Sequence, residues 1–193
     1  MADHDRDLMR RLRAGDRTAL EPLYRRHVER LWRFAYARLR DREAASDVVQ
    51  DTFVRVCRSA GTYAGRAQVA TWLFAIARSA LVDHVRKRRR RELPGEPRVL
   101  KLVPAAAEPD PLERDEARIR VHAALATLRP AQRDALVLCE LCELKIAEAA
   151  AALGWSESRV KVTVHRARKK LAERLREQEE TVTEEKGIMG LRD

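Results

Sequence analysis

The stretch that decides the fold is GWSESRVKVTVHRARKKLAERL, from Gly154 to Leu175. The preceding segment KIAEAAAALG predicts a short helix that ends at Gly154, and Ser156 is a good N-cap for the next helix. The apolar residues of that next helix recur at spacings of four, three and four, as a buried stripe requires. They are Val160, Val164, Ala167 and Leu171.

The other faces of this helix are basic, and they carry Arg159, Lys161, His165, Arg166, Arg168, Lys169 and Lys170. A short helix, a glycine turn and a capped basic helix predict a helix-turn-helix whose second helix enters the major groove of DNA. A solvated basic helix in a plain helical hairpin is the alternative. Arg and Lys would neutralise phosphates, whereas side chains near the helix N-terminus would reach base edges. The predicted DNA contacts are Arg159, Lys161, Val162, Thr163, His165, Arg166 and Lys169.

The composition agrees with a helical protein that binds a polyanion. The chain has 193 residues and a formal net charge of +10, and only 5% of its residues are aromatic. No alternating β-branched runs are present, which favours an all-α fold, and the basic excess points to DNA, RNA or an anionic membrane. No apolar run approaches the roughly 18 residues that cross a bilayer, and MADHDRDLMRRLRAGD has no apolar signal core. We therefore expect a cytoplasmic protein without membrane insertion.

The periodicity divides the chain into two small helical domains. Helices are predicted at about 17–40, from Asp41 to about 58, and at about 68–90, with Pro130 as the first residue of a later helix. Five of the seven prolines fall in ELPGEPRVLKLVPAAAEPDPL, which predicts an extended, flexible linker. The predicted units are a first domain at 5–92, a linker at 93–112, a second domain at 113–176 and a disordered tail at 177–193.

Two surfaces of the first domain have unusual compositions. Asp47, Gln50, Asp51 and Val54 share one helix face, which is either a solvated acidic face or a site for a basic protein surface. Tyr63 and Trp72 are candidates to stack on unpaired bases, although Trp72 fits the core equally well. The unbroken basic run from Arg86 to Arg91 suits a phosphate backbone or a flexible helix end.

Catalytic and metal-binding patterns are absent from the sequence. We find no nucleophile with a matching base, no phosphate-binding glycine loop, and no ligand spacing among the five histidines. Cys139 and Cys142 form a CxxC inside a helical pattern, where core packing is favoured over a thiol switch or a metal site. We therefore expect no enzyme activity, no cofactor and no metal.

Four segments in this order resemble bacterial RNA polymerase sigma factors of the extracytoplasmic-function (ECF) group of the sigma-70 family. They are SDVVQDTFVRV, ATWLFAIARSALVDHVRKRRR, LRPAQRDALVL and LGWSESRVKVTVHRARKKL, and the resemblance covers about 20–91 and 115–175. It implies that the first domain is a region 2 helical bundle and the second a region 4 helix-turn-helix. It also implies promoter DNA, the β′ clamp and β flap of core RNA polymerase, and an anti-sigma factor as partners.

The resemblance also implies roles for individual residues. Asp47, Gln50, Asp51 and Phe53 become the core-polymerase contact. The loop SAGTYAGRAQ becomes the element that captures a flipped base of the −10 element. The −10 contacts are Tyr63, Arg66, Trp72, Arg78, Ser79, Asp83, Arg86 and Arg88. Lys161, Val162, His165 and Arg166 become base-facing residues at the −35 element, where many relatives have a serine and an arginine in place of Val162 and Thr163.

Two alternative functions remain at this point. A stand-alone helix-turn-helix regulator would explain the helix after Gly154, but it leaves the face of Asp47, Gln50 and Asp51 unexplained. A protein that mimics a sigma factor to bind an anti-sigma factor would not need the basic DNA-facing helices. A stand-alone regulator is expected to bind duplex DNA well by itself, whereas a sigma factor of this kind is expected to bind it poorly until polymerase is present.

Overall fold

The computed structural model describes residues 2–91 and 116–189, and within these ranges all regular structure is helical. The first domain holds α1 (Ala2–Arg13), α2 (Leu20–Leu39), α3 (Arg42–Ser59) and α4 (Val69–Arg91). The second domain holds α5 (Glu116–Ala126), α6 (Pro130–Glu140), α7 (Ile146–Leu153) and α8 (Glu157–Met189). Single 3-10 turns at Arg17–Ala19 and Ala60–Thr62 precede α2 and follow α3. The predicted all-α fold is confirmed.

Local signals in the sequence fix most helix ends. Asp41 has extended backbone and its side chain accepts a hydrogen bond from the amide of Ala44, which starts α3. Pro130 occupies the first turn of α6, where its missing N–H costs nothing. The predicted boundary residues Asp41 and Pro130 are therefore confirmed.

In the first domain α2, α3 and α4 pack around one apolar core, and α1 lies across α2 and α4. Phe34 of α2 meets Phe74 of α4 edge to face, with ring centroids 5.9 Å apart. Leu31, Val48 and Leu73 are almost fully buried beside them. This core holds α3 and α4 side by side, so that their outer faces form adjoining surfaces.

In the second domain α8 packs against α5, α6 and α7. Arg133 of α6 ties the end of α5 to this bundle, because its guanidinium donates hydrogen bonds to the backbone carbonyls of Leu125, Ala126 and Leu128. These carbonyls lie in the last turn of α5 and just beyond it, where few backbone amides are available as donors. The arrangement leaves one side of α8 open.

The two domains are docked on each other and share one continuous apolar core. Helix α7 packs on α4, and α2 packs on α5 and α6. Arg38 of α2 forms an ion pair with the buried Asp134 of α6, with 2.6 Å between Nη1 and Oδ1. Arg30 donates to the backbone carbonyl of Cys142 through Nε at 3.1 Å. The sequence alone predicted two domains but gave no sign of this docking.

Two further segments differ from the sequence predictions, and a third falls on residues that the structure does not describe. Helix α1 was not predicted, although Leu8, Met9 and Leu12 place an apolar face in the core. The predicted disordered tail at 177–193 is corrected over most of its length, because α8 continues to Met189. Arg174 and Glu177 form an ion pair across its supposed end, and no proline interrupts the segment. The predicted linker at 93–112 lies outside the described residues.

Candidate DNA-binding and polymerase-binding surfaces

The turn before α8 has the geometry that the sequence predicts. Gly154 has left-handed backbone with φ 68°, a conformation that costs glycine little and other residues more. Ser156 then accepts a hydrogen bond from the amide of Arg159, with 3.3 Å between Oγ and N. The glycine turn and the serine cap are both confirmed, and they fix the angle between α7 and α8.

Helix α8 buries one stripe and exposes the predicted base-reading side. Val160, Val164 and Ala167 are buried, and Leu171 packs against the same core. The predicted contacts Arg159, Lys161, Val162, His165, Arg166 and Lys169 are exposed, and Thr163 is half-buried. Val162 is 49% exposed, which is unusual for an apolar residue among cations and suits contact with a thymine methyl group.

Three cations of α8 are held by neighbours, which the sequence did not reveal. The guanidinium of Arg159 stacks over Trp155 at 4.1 Å from the ring centroid, so its direction is fixed by the turn. Arg168 pairs with Glu140 of α6, and Lys170 donates to the carbonyl of Thr127. Arg168 and Lys170 therefore secure α8 to its own domain, whereas Arg159 lies on the side that is predicted to face DNA.

The acid-and-amide face of α3 consists of Asp47, Gln50, Asp51 and Val54. Asp47 and Gln50 are exposed, Asp51 is half-buried, and Val54 is 40% exposed. Tyr24 of α2, 42% exposed, adds a second exposed apolar side chain close to α3. The face offers carboxylates, an amide and exposed apolar surface, which together suit a basic protein partner.

Phe53 does not belong to this face, and its predicted role in direct contact with polymerase is corrected. It is only 6% exposed and lies in the core, where its ring meets that of Tyr24 at 4.9 Å between centroids. The helical spacing explains the difference, since Phe53 shares the inward side of α3 with Val49 and Val56, which are also buried. Phe53 would therefore affect a partner site only indirectly, by supporting the exposed ring of Tyr24.

Arg55 joins the acid-and-amide face to α4. Its Nε and Nη2 lie 3.0 and 2.8 Å from Oδ2 of Asp51, and its Nη1 lies 2.9 Å from Oδ2 of Asp83. Nη1 also donates to Oγ of Ser79 at 3.2 Å. Burial disfavours the charged guanidinium, but the hydrogen bonds that it donates to the two carboxylates outweigh this effect and raise the pKa of Arg55. Nothing in the sequence pattern singled out Arg55.

The predicted −10 contacts fall into two groups. Arg66, Ser79, Arg86 and Arg88 are exposed, and Trp72 and Asp83 are half-buried. Nη1 of Arg88 on α4 lies 3.6 Å from Oδ2 of Asp41, the N-cap residue of α3. An open pocket of about 220 Å³ lies beside them, lined by Arg55, Asp83, Arg86, Lys87 and Arg90. Four cations around one carboxylate suit a phosphate group.

Tyr63 does not offer a free surface in this structure, which corrects its prediction as a direct contact. Tyr63 is 6% exposed, its hydroxyl donates to the carbonyl of Ala67 at 2.6 Å, and its ring lies 5.2 Å from that of Trp72. It therefore braces the loop before α4. Arg78 is half-buried, its Nε has no hydrogen-bond partner among the described residues, and its charge acts on Asp134 of the second domain.

The CxxC cysteines behave as packing residues. Cys142 is fully buried at the domain contact, and burial raises the pKa of its thiol to about 12. Burial also raises the pKa of Cys139, and the charge of Glu140 adds to this effect. Thiols with raised pKa values are poor nucleophiles and poor metal ligands at neutral pH. Among the described residues no group of three or more His, Cys, Asp and Glu side chains is placed to hold a metal ion.

Comparisons with known sequences point to one family. The family model described as Sigma-70 region 2 matches residues 23–91, and the model described as Sigma-70, region 4 matches residues 118–171. The ECF RNA polymerase sigma factor SigM of Mycobacterium tuberculosis is 36% identical over 168 residues, which cover 87% of this chain and 83% of SigM. RNA polymerase sigma factor CarQ of Myxococcus xanthus is 34% identical, over 89% of this chain and 97% of CarQ.

Solved structures agree with these relatives. The structure of CnrH in complex with the cytosolic domain of CnrY matches with a TM-score of 0.68 and 28% identity, over 88% of this chain and 95% of CnrH. The sigma factor RpoE of Bartonella quintana, in complex with the anti-sigma factor NepR, matches with a TM-score of 0.60 and 26% identity, over 81% and 98%. In the described part of the chain, no helix combines the length and apolarity needed to cross a membrane. With both sigma-70 region models matched in order and full-length relatives above 30% identity, the chain belongs to the ECF group of RNA polymerase sigma factors.

Proposed function

We propose that this protein binds core RNA polymerase and directs it to promoters by contacting the −10 element through α4 and the −35 element through α8. It acts by binding and catalyses no reaction itself. The observation that carries the proposal is the presence, in one chain, of an exposed basic reading helix and a separate acid-and-amide face. A stand-alone regulator needs only the first of these surfaces.

The proposed −35 contact rests on α8. Lys161, His165 and Arg166 are exposed beside Val162, on the side opposite the buried stripe. The serine cap and the stacking of Arg159 on Trp155 orient the first turn, where side chains reach base edges. Lys169 lies further along the exposed side and is placed to neutralise a phosphate.

The proposed −10 contact rests on the C-terminal half of α4 and on the loop before it. Ser79, Asp83, Arg86 and Arg88 lie along α4, and Arg66 and the half-buried Trp72 lie at its start. The pocket beside Arg86 adds a site for a backbone phosphate. Tyr63 supports this surface by holding the loop through Ala67 rather than by touching DNA in the present conformation.

The proposed polymerase contact is the acid-and-amide face of α3, with Asp47, Gln50 and Asp51 as its polar residues. On a chain of net charge +10, an exposed acidic face is suited to a basic protein surface and not to DNA. The resemblance to ECF sigma factors assigns this face to the β′ clamp and region 4 to the β flap. Regulation by an anti-sigma factor is part of the proposal, because the similar RpoE was solved with one.

The proposal is tested by reconstitution. Transcript 5′ ends mapped in cells before and after overexpression identify a dependent promoter, and the purified chain is then mixed with core polymerase on that promoter. We expect a stable complex and initiation at the mapped site. We expect the double variant Asp51→Ala with Gln50→Ala to weaken polymerase binding about tenfold or more, because it removes a charge and an amide from the contact. Glu43→Ala, which removes an exposed charge near the start of α3, is the matched control.

Three outcomes would contradict the proposal or a part of it. If the chain binds duplex DNA tightly and specifically by itself and ignores core polymerase, it is a stand-alone regulator. If the double variant binds polymerase as tightly as Glu43→Ala does, the acid-and-amide face is not the contact. For α8, Arg166→Ala should reduce initiation without changing the affinity for core polymerase, and an unchanged rate would remove the −35 assignment.

A further inference from the structure

We propose that Arg55 is a positioning residue that couples polymerase binding at Asp51 to DNA binding at Ser79, Asp83 and the adjoining phosphate pocket. The inference rests on the proposed function, since it joins two surfaces that are assigned there. Arg55 itself was not among the predicted contacts, and it lies between them.

The geometry of Arg55 is that of a bridge between two helices. One edge of its guanidinium, formed by Nε and Nη2, faces Oδ2 of Asp51 one turn earlier on α3. Nη1 faces Oδ2 of Asp83 and Oγ of Ser79 on α4. A planar guanidinium presents its donors in a fixed fork, so the position of one carboxylate constrains the position of the other.

The bridge is accessible to partners from both ends. The side chains of Asp51 and Asp83 are 44% and 39% exposed, whereas that of Arg55 is 28% exposed. A basic group of polymerase that approaches Asp51 would compete with Arg55 for the same oxygen. Arg55 also lines the pocket with Arg86, Lys87 and Arg90, so a guanidinium released from Asp51 has a phosphate site within reach.

Polymerase binding and −10 binding should therefore strengthen each other. When Arg55 releases Asp51, its Nε and Nη2 become free to donate to a phosphate in the pocket, while Nη1 can remain on Asp83. Thermodynamic linkage requires the reverse effect to be equal, so that DNA in the pocket raises the affinity of Asp51 for polymerase. Because all three side chains are partly solvated, we expect a coupling at the lower end of the usual range, about fivefold.

The experiment measures the binding of a single-stranded non-template oligonucleotide that spans the −10 element of the mapped promoter. Its affinity is determined for the free chain and for the chain bound to core polymerase, with a scrambled oligonucleotide and core polymerase alone as background. We expect core polymerase to raise the affinity of the wild-type chain for the oligonucleotide. We expect this increase in affinity to be about fivefold smaller for Arg55→Ala. Arg58→Ala removes the same charge from an exposed position one turn later on α3 and should keep the gain.

Further variants separate coupling from a loss of folding or of general charge. Arg55→Lys keeps the charge but lacks the fork, so it should lose most of the gain while keeping the wild-type thermal midpoint. If core polymerase raises the oligonucleotide affinity equally in Arg55→Ala, Arg55→Lys and Arg58→Ala, Arg55 has no coupling role. The proposed function would remain intact. A wild-type chain that binds neither polymerase nor the −10 oligonucleotide in its presence would overturn both.

Discussion

At the scale of single residues, His27 illustrates how a buried polar group constrains the first domain. It is 4% exposed, and its Nε2 lies 3.0 Å from Oδ2 of Asp5 on α1. Its Nδ1 is buried and has no hydrogen-bond partner among the described residues. Neutral histidine tolerates this arrangement, because Nε2–H donates and Nδ1 carries only a lone pair. Protonation would place an unpartnered N–H in the core.

This environment predicts that the free energy of unfolding falls in mild acid. Burial lowers the pKa of His27, aided by the charges of Arg30 and Arg26 and opposed by Asp5. Because the folded pKa is below the unfolded value of about 6.5, the unfolded chain binds the proton first, and stability is lost as pH falls through 6.5 towards the folded pKa. One unit below 6.5 the loss is at most about 1.4 kcal/mol.

Urea unfolding at pH 7.5 and pH 5.5 measures this effect. We expect His27→Gln to remove part of the pH dependence of the free energy of unfolding, regardless of its effect on stability at pH 7.5. His165→Gln, which changes an exposed histidine of α8, should leave the dependence as it is in the wild type. If the free energy of unfolding changes equally between the two pH values in both variants, His27 is not the group that causes the pH dependence.

Single residues also show why some site assignments could be made from sequence and others could not. The exposure of Val162, His165 and Arg166 was predictable because helical periodicity alone places them opposite a buried stripe. Phe53 and Tyr63 were misassigned because a motif gives residue types but not the side on which each side chain packs. Arg55 and Asp134 were missed because their partners lie on other helices, so no spacing along the chain connects them.

At the scale of elements, α8 depends on its N-terminal cap. Ser156 satisfies the amide of Arg159, one of the first amides of the helix that have no intrahelical acceptor. The cap belongs to the turn that sets the angle of α8 against α7. Its loss would therefore affect both the stability of α8 and the direction of the side chains that we propose to read bases.

Ser156→Ala is expected to lower the free energy of unfolding by about 1 kcal/mol, which corresponds to roughly 2–4 °C in the thermal midpoint for a chain of this size. Ser158→Ala is the matched control, since it changes an exposed serine already inside the helix and alanine has the higher helix propensity. Circular dichroism melts of the two variants measure the difference. Equal midpoints would show that the cap does not contribute to stability.

Helix boundaries were predictable where a cap or a proline marks them and less so elsewhere. Asp41, Pro130 and Gly154 marked their helices correctly, because each has a local conformational preference that tertiary contacts need not supply. Helix α1 went unnoticed because the charges of its sequence concealed a narrow apolar face of Leu8, Met9 and Leu12. The acidic composition beyond Glu177 predicts disorder, whereas α8 continues to Met189.

At the scale of the whole molecule, the docked arrangement conflicts with simultaneous binding to both promoter elements. Sites about 25 base pairs apart are separated by about 85 Å along B-DNA. In the structure α7 packs directly on α4, and Arg78 of α4 lies against the second domain. The roughly two dozen residues between Arg91 and Glu116 could extend to about 80 Å, so the covalent connection permits separation. We therefore expect the domains to separate on polymerase.

The ion pair between Arg38 and Asp134 opposes this separation, together with the hydrogen bond from Arg30 to the carbonyl of Cys142. Asp134 is 7% exposed and burial raises its pKa, so an unpaired carboxylate there would be costly. Breaking a buried pair from one side typically costs about 3–5 kcal/mol, which the chain can avoid by undocking and exposing Asp134 to water. Arg38→Ala should therefore shift the free chain towards the undocked form while each domain stays helical.

Small-angle scattering of the free chain measures this shift. A compact chain of this length has a radius of gyration of about 16 Å, and undocking raises the value above that of the wild type. Arg33→Ala removes an exposed arginine that pairs with Glu29 on the same helix, a contact worth little, and should scatter like the wild type. Arg38→Met combined with Asp134→Leu removes both charges and should dock again, since apolar replacements of a buried pair are often neutral or stabilising. If Arg38→Ala scatters like Arg33→Ala with unchanged helix content, apolar packing between α4 and α7 holds the domains together without this ion pair.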